Sequence, residues 1–219
     1  MDERSRSLQE LQHIKQMMER SSRFISLSSL SGISAGLCGL AGAWVAKKKI
    51  DCWQGVDCSG VSPVHSIIEL LNYLLLVAII TFVAAFIAAF VFTLYRSKKA
   101  GVSLWGSISL RLFWNISIPI VVGGFFLLRA MQLGQFELLA PGCLLFYGLG
   151  LVNAGKYTLR EVTWLGYTEI VLGLISLWVT DYGLYFWAAG FGILHIVFGL
   201  VMWFRHERNI GTQSRTVPA

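Results

Sequence analysis

The chain has 219 residues, 55% of them hydrophobic and 14% charged, with a formal net charge of +6. A soluble domain carries about 25% charged residues. Here the charges gather at the ends of apolar runs of about 17–25 residues, the length that crosses a bilayer as a helix. That pattern excludes a soluble globular domain, and it excludes nucleic-acid binding, which would need the basic residues along one polar face.

Residues 1–23 are polar and basic, and Ser7-Leu8-Gln9-Glu10 has the capping-box pattern of a helix start. Leu8, Leu11, Ile14 and Met18 then fall on one side of a cytoplasmic amphipathic helix. Such a stripe suits the membrane surface, a second copy, or a cytoplasmic protein partner, and the interfacial reading is the simplest. A transmembrane domain is predicted over 24–205, an all-α bundle of six helices at about 24–46, 65–95, 111–129, 138–155, 164–180 and 185–204. Residues 206–219 are predicted to be a cytoplasmic tail.

In the first helix Ser28, Gly32 and Gly36 recur every four positions and Gly39 carries the stripe on. This small-residue face lets another helix backbone approach closely, within the monomer in the first instance and between copies in the second. Ala41-Gly42-Ala43 would serve as a signal cleavage site. The apolar stretch is longer than a signal core of about 7–15 residues, so it is kept as a span. The loop expected at 47–64 contains Cys52 and Cys58, and in an oxidising periplasm these would form a disulfide. Their spacing is not Cys-x-x-Cys and no histidine cluster accompanies them, so neither redox catalysis nor a metal site is expected. Cys38 and Cys143 fall within spans and are expected to be buried.

The second helix runs to a basic stop at Arg96-Ser97-Lys98-Lys99. Arg111 and Arg129 bracket the third, each expected to snorkel to its own interface, and Pro119 predicts a kink between them. Short turns join the last four helices, making neighbours antiparallel. Helices 3–4 and 5–6 also read as one hairpin written twice. A shift of 49 positions places Gly124 on Gly173, Gly134 on Gly183, Gly150 on Gly199 and Lys156 on Arg205. The second copy carries Glu169 and His195 where the first has Ile120 and Phe146. With both termini cytoplasmic, thirteen of the 18 Lys and Arg lie inside and four outside, with Arg111 at the inner end of the third helix. Lys47, Lys48 and Lys49 are the dissenting run.

Ionisable groups at membrane depth are costly and are the default site candidates. They are His65, Glu69 and Arg129 on the outer side, Arg111 and Glu169 on the inner side, and His195 near the midplane. Glu69–Arg129 and Arg111–Glu169 are the expected pairs. Functionally they would form a proton or ion relay; structurally they would link helices near opposite interfaces, and the lower burial cost there favours the structural reading. Paired haem ligation by His65 and His195 is disfavoured. His195 lies ten residues into its helix, about 15 Å deeper than His65 at 1.5 Å per residue. A hydrogen-bonded core histidine is the expectation for His195.

No Gly-x-Ser-x-Gly, His-Glu-x-x-His, P-loop or strand-borne GxGxxG motif is present. The expectation is a non-enzymatic protein with no catalytic residues, no cofactor and no metal. The segments Met18–Ser28, Asn153-Ala154-Gly155-Lys156-Tyr157-Thr158 and Gly190-Phe191-Gly192-Ile193-Leu194-His195 resemble a family of uncharacterised multi-pass membrane proteins from Bacteroidota-type bacteria. That resemblance implies an inner-membrane location and no assigned activity. The glycine spacing of the hairpins is similar to that of the six-span acid-resistance membrane protein family, and no functional residue is carried over from it. The function expected is structural or stress-related, with possible self-association. The alternatives are a small ion or metabolite transporter, or an anchor that recruits a cytoplasmic partner.

Overall fold

The computed structural model describes residues 28–62, 66–100 and 107–207. The amphipathic segment 1–23, His65 and the tail beyond residue 207 lie outside the described residues. Within them the chain is helical: α1 (Ser29–Trp53), α2 (Ile67–Ala100), α3 (Ser107–Gln132), α4 (Leu139–Ala154) and α5 (Arg160–Trp178). A last long helix follows in four pieces. They are α6 (Gly183–Ala188), a π-helical segment Ala189–Leu194, α7 (His195–Met202) and a second π segment Trp203–Glu207. Single 3₁₀ turns at Phe136–Leu138, Gly155–Tyr157 and Thr180–Tyr182 join α3 to α4, α4 to α5, and α5 to α6.

Five helices are long and apolar enough to cross a membrane. The exception is α5, whose 19 residues include Arg160, Glu161 and Glu169. Helices satisfy their own backbone groups, which is what an apolar surrounding demands, and the outward faces suit such a surrounding. Phe82, Phe86 and Phe90 on α2, and Phe113, Trp114 and Phe125 on α3, are all exposed. With 34 residues, α2 is about 50 Å long at 1.5 Å per residue, well beyond a hydrocarbon core of about 30 Å.

The helix boundaries depart from expectation where lysines were taken as helix stops. Expected to end near residue 46, α1 instead continues to Trp53. The reason is that each lysine has a local partner. The Lys47 ammonium binds the Asp51 carboxylate at 2.6 Å, and Lys48 lies 4.5 Å over the Trp44 ring. Lys49 donates to the Ser62 carbonyl at 2.8 Å and sits 4.5 Å over the Tyr73 ring. The loop is therefore short, and the disulfide between Cys52 and Cys58 closes it. Its two turns use Gly55 and Gly60, each at φ +75°, where a β-carbon would be strained. Similarly, α2 runs through Arg96, Lys98 and Lys99, and α5 begins at Arg160 rather than near residue 164.

Pro119 lies inside α3 without ending it. Proline has no N–H for the carbonyl four residues back, and that carbonyl belongs to Asn115. The Asn153 side-chain amide on α4 donates to it at 3.2 Å. The group that proline frees thus becomes a link between helices.

The small-residue stripe of α1 packs inside the monomer, against the last helix. A β-carbon on Gly32 would come within 3.1 Å of the Gly199 Cα, and one on Gly36 within 2.6 Å of the Gly192 carbonyl oxygen. The Phe191 carbonyl lies against Gly39, and Ser28 is buried. The two helices are antiparallel, since the start of α1 meets Gly199 and its later part meets Phe191. Across the bundle, α4 packs between α3 and α5 and also against α6, while α2 packs on α1. At the α4–α5 crossing Gly148 and Gly166 face one another, each 2.8 Å from where the other's carbonyl would meet a β-carbon.

Candidate functional site

The interior face of α5 carries Glu161, Leu165, Glu169, Gly173 and Ser176, all buried. Glu169 stands midway between Arg160 and Trp178, at the centre of its helix. It is 0% exposed. Arg111 was the expected partner of this carboxyl, and the structure sets a different residue beside it. Glu169 faces His195, whose Nδ1 lies 3.5 Å from Glu169 Oε1. Arg111 is exposed on α3. Arg129, the other expected partner, is also exposed and binds Gln132 Oε1 at 3.2 Å. Glu69 is exposed in the first turn of α2, where its backbone N–H meets the Ser66 hydroxyl at 3.2 Å. Glu169 is thus set beside His195, and Arg129 on Gln132, in place of the partners expected for them. Long arginine side chains on an outward face reach toward water, whereas a mid-helix glutamate must find its partner inside.

His195 is a hydrogen-bonded core histidine, as its mid-helix position suggested. It is 6% exposed, and both ring nitrogens are occupied. Nδ1 lies 2.9 Å from the Gly190 carbonyl; a carbonyl only accepts, so Nδ1 carries a hydrogen. In the neutral ring Nε2 then accepts from the Tyr147 hydroxyl at 2.8 Å. Gly190 belongs to the π segment, five residues before His195, and π segments recur at functional sites. A β-carbon at Gly190 would lie 2.5 Å from Glu169 Oε2, so only glycine leaves the carboxyl its place. Phe191 stacks beside the cluster, with ring centres 5.1 Å from Tyr147 and 6.1 Å from His195.

Three buried atoms on α5 have no hydrogen-bond partner: both Glu169 oxygens and the Ser176 hydroxyl. Buried polar groups are normally hydrogen-bonded, and exceptions call for a reason. No third His, Cys, Asp or Glu joins Glu169 and His195 in a metal-holding group among the described residues. What the arrangement offers is a carboxyl, an imidazole and a phenol in succession across three helices.

Two participants escaped the sequence reading. Tyr147 gave no signal, since a phenol in an apolar run is ordinary. Glu161 pairs with Arg205 at 3.4 Å where α5 begins and the last helix closes, and the basic stop at Arg205 was the available clue. No protein-family model, curated protein or solved structure matches this chain.

Proposed function

We propose that the chain is a six-span integral protein of a bacterial inner membrane, with both termini cytoplasmic and a non-enzymatic, structural or stress-related role. The observation that carries this reading is an apolar exterior around an interior closed by direct glycine-to-backbone contact along α1 and the last helix. As the sixth span, α5 turns its acids inward and packs against antiparallel α4. The orientation gains support from the lysine run. Lys47 is paired with Asp51, and Lys48 and Lys49 lie over aromatic rings within α1 and its neighbour, so the run has local structural roles, while the larger Lys/Arg count stays on the other side. A disulfide at the same end suits an oxidising compartment.

The two hairpins read as diverged copies. Each is a helix, a 3₁₀ turn and a helix, while Gly134 sits in its turn at φ +76° and its counterpart Gly183 opens α6 at φ −50°. The resemblance to the multi-pass Bacteroidota-type and six-span acid-resistance families fits this reading, as does self-association in the bilayer. A second reading, a small transporter for an ion, is favoured by the buried carboxyl of Glu169.

Thiol labelling tests the topology after replacement of Cys38 and Cys143. In intact cells S59C should react with a membrane-impermeant maleimide, and K156C only after permeabilisation; reaction of both from outside would overturn the orientation. Proton and alkali-cation flux into proteoliposomes separates the two functions. Wild-type flux equal to empty liposomes supports the structural role. Flux that disappears in E169Q replaces it with transport.

A further inference from the structure

We infer that Glu169 binds one exchangeable proton in the middle of the bundle, and that release of this proton redirects the His195 N–H from the Gly190 carbonyl to the Glu169 carboxylate. The inference goes beyond the structural role proposed above and rests on that reading only for its membrane setting.

The ligand class follows from space and donor count. The Glu169 carboxyl is wholly buried, and Gly190 closes on it so tightly that a single added β-carbon there would lie 2.5 Å from Oε2. A magnesium or calcium ion takes about six or more oxygen ligands, and among the described residues no third His, Cys, Asp or Glu joins Glu169 and His195 to supply them. A proton adds no volume and needs one lone pair. Both carboxyl oxygens are without a hydrogen-bond partner, so a lone pair is free.

The chemistry balances within the cluster. Release breaks the Glu169 O–H bond; its electron pair stays on the carboxylate, and the proton passes to solvent. A carboxylate buried without a donor is costly, and a donor at hand is the Nδ1–H of His195, 3.5 Å from Oε1 and now held 2.9 Å from the Gly190 carbonyl. A small turn of the ring exchanges one acceptor for the other. The Tyr147 hydroxyl stays on Nε2 and keeps the ring in one tautomer. The cost falls on the π segment, whose Gly190 carbonyl loses its donor.

The groups facing Glu169 are Tyr147 from α4 and His195 from the last helix, with Cys143 one turn along α4. The Glu161–Arg205 pair lies at one end of α5, two turns away, and Asp181 beyond the other. Among the described residues, no lysine or arginine is paired with the carboxyl.

The test is infrared difference spectroscopy on the purified full chain in lipid, stepped across the pH range over which it stays folded, with nitrogen NMR of its histidines. A protonated-carboxyl band should vanish as pH rises and be missing in E169Q. The His195 Nδ1 resonance should move at the same midpoint in wild type and stay fixed in E169Q. If E169Q fails to fold, H195F, which has no side-chain donor, should retain the band with its midpoint raised by at least about one pH unit, the effect of losing one hydrogen bond to a charged group. No titrating carboxyl band, a band that persists in E169Q, or a midpoint unmoved in H195F would overturn the inference. The labelling of S59C and K156C reports the membrane setting independently, so either failure is recognised on its own.

Discussion

Ser176 lies two turns beyond Glu169 on the same buried face of α5, and its hydroxyl also lacks a partner. The two orphans differ in what removing them should do. An unpaired buried hydroxyl contributes only a desolvation penalty of about 1–3 kcal/mol, so S176A should leave the thermal midpoint in detergent unchanged or raise it by a few degrees. A clear fall in that midpoint would show that Ser176 holds a partner. Glu169 and His195 were legible in the sequence because each is an ionisable residue inside an apolar run. Their pairing was not, because residue counting places groups by depth alone. It cannot say which way a side chain faces, so Arg111, at a neighbouring depth on another helix, looked like the natural partner. The true contact depends on the π segment that turns His195 toward α5 and on a glycine whose missing β-carbon makes room for the carboxyl.

At the scale of single helices, the small-residue stripe of α1 was readable because close approach needs the absence of side chains at four-residue spacing. What it packs against came only from the structure. Glycines in the same chain then serve as their own controls. Gly36 faces the Gly192 carbonyl, so an added β-carbon would stand 2.6 Å from a backbone atom that cannot step aside, whereas nothing lies within 4 Å of one at Gly124. Overpacking a tight contact costs about 1–3 kcal/mol, and glycine-to-alanine at an open helix position gains up to about 1 kcal/mol. G36A should therefore lower the thermal midpoint and G124A should leave it level or higher; equal effects would remove the seam as a source of stability. Helix ends were less legible. A lysine run ordinarily marks a boundary, but Lys47 to Lys49 are held by Asp51, Trp44 and Tyr73, and two of those partners are visible only once the helix is drawn through them. Pro119 shows the reverse case, a breaker residue whose cost an asparagine on the next helix offsets.

For the whole molecule, connectivity and packing order differ. The first hairpin, α1 and α2, joins the remaining helices chiefly where α1 meets the last helix, while α3, α4 and α5 pack in succession. The fold is thus two blocks held across one seam of small residues, and the second block contains the carboxyl, imidazole and phenol. Helices that insert independently associate afterwards through side-by-side packing, so a chain divided between α2 and α3, within residues 101–106, should still assemble. The two pieces, co-expressed with a tag on one, are expected to co-purify in mild detergent. G36L in the first piece should reduce recovery of the partner at least about tenfold, since an overpacking cost of more than about 1.4 kcal/mol corresponds to that ratio. G124L in the second piece should not, because Gly124 faces open space. Equal recovery with G36L would mean that α2, or contacts outside the described residues, carry the junction, and the seam would lose its place as the element that sets how the first hairpin meets the helix bearing His195.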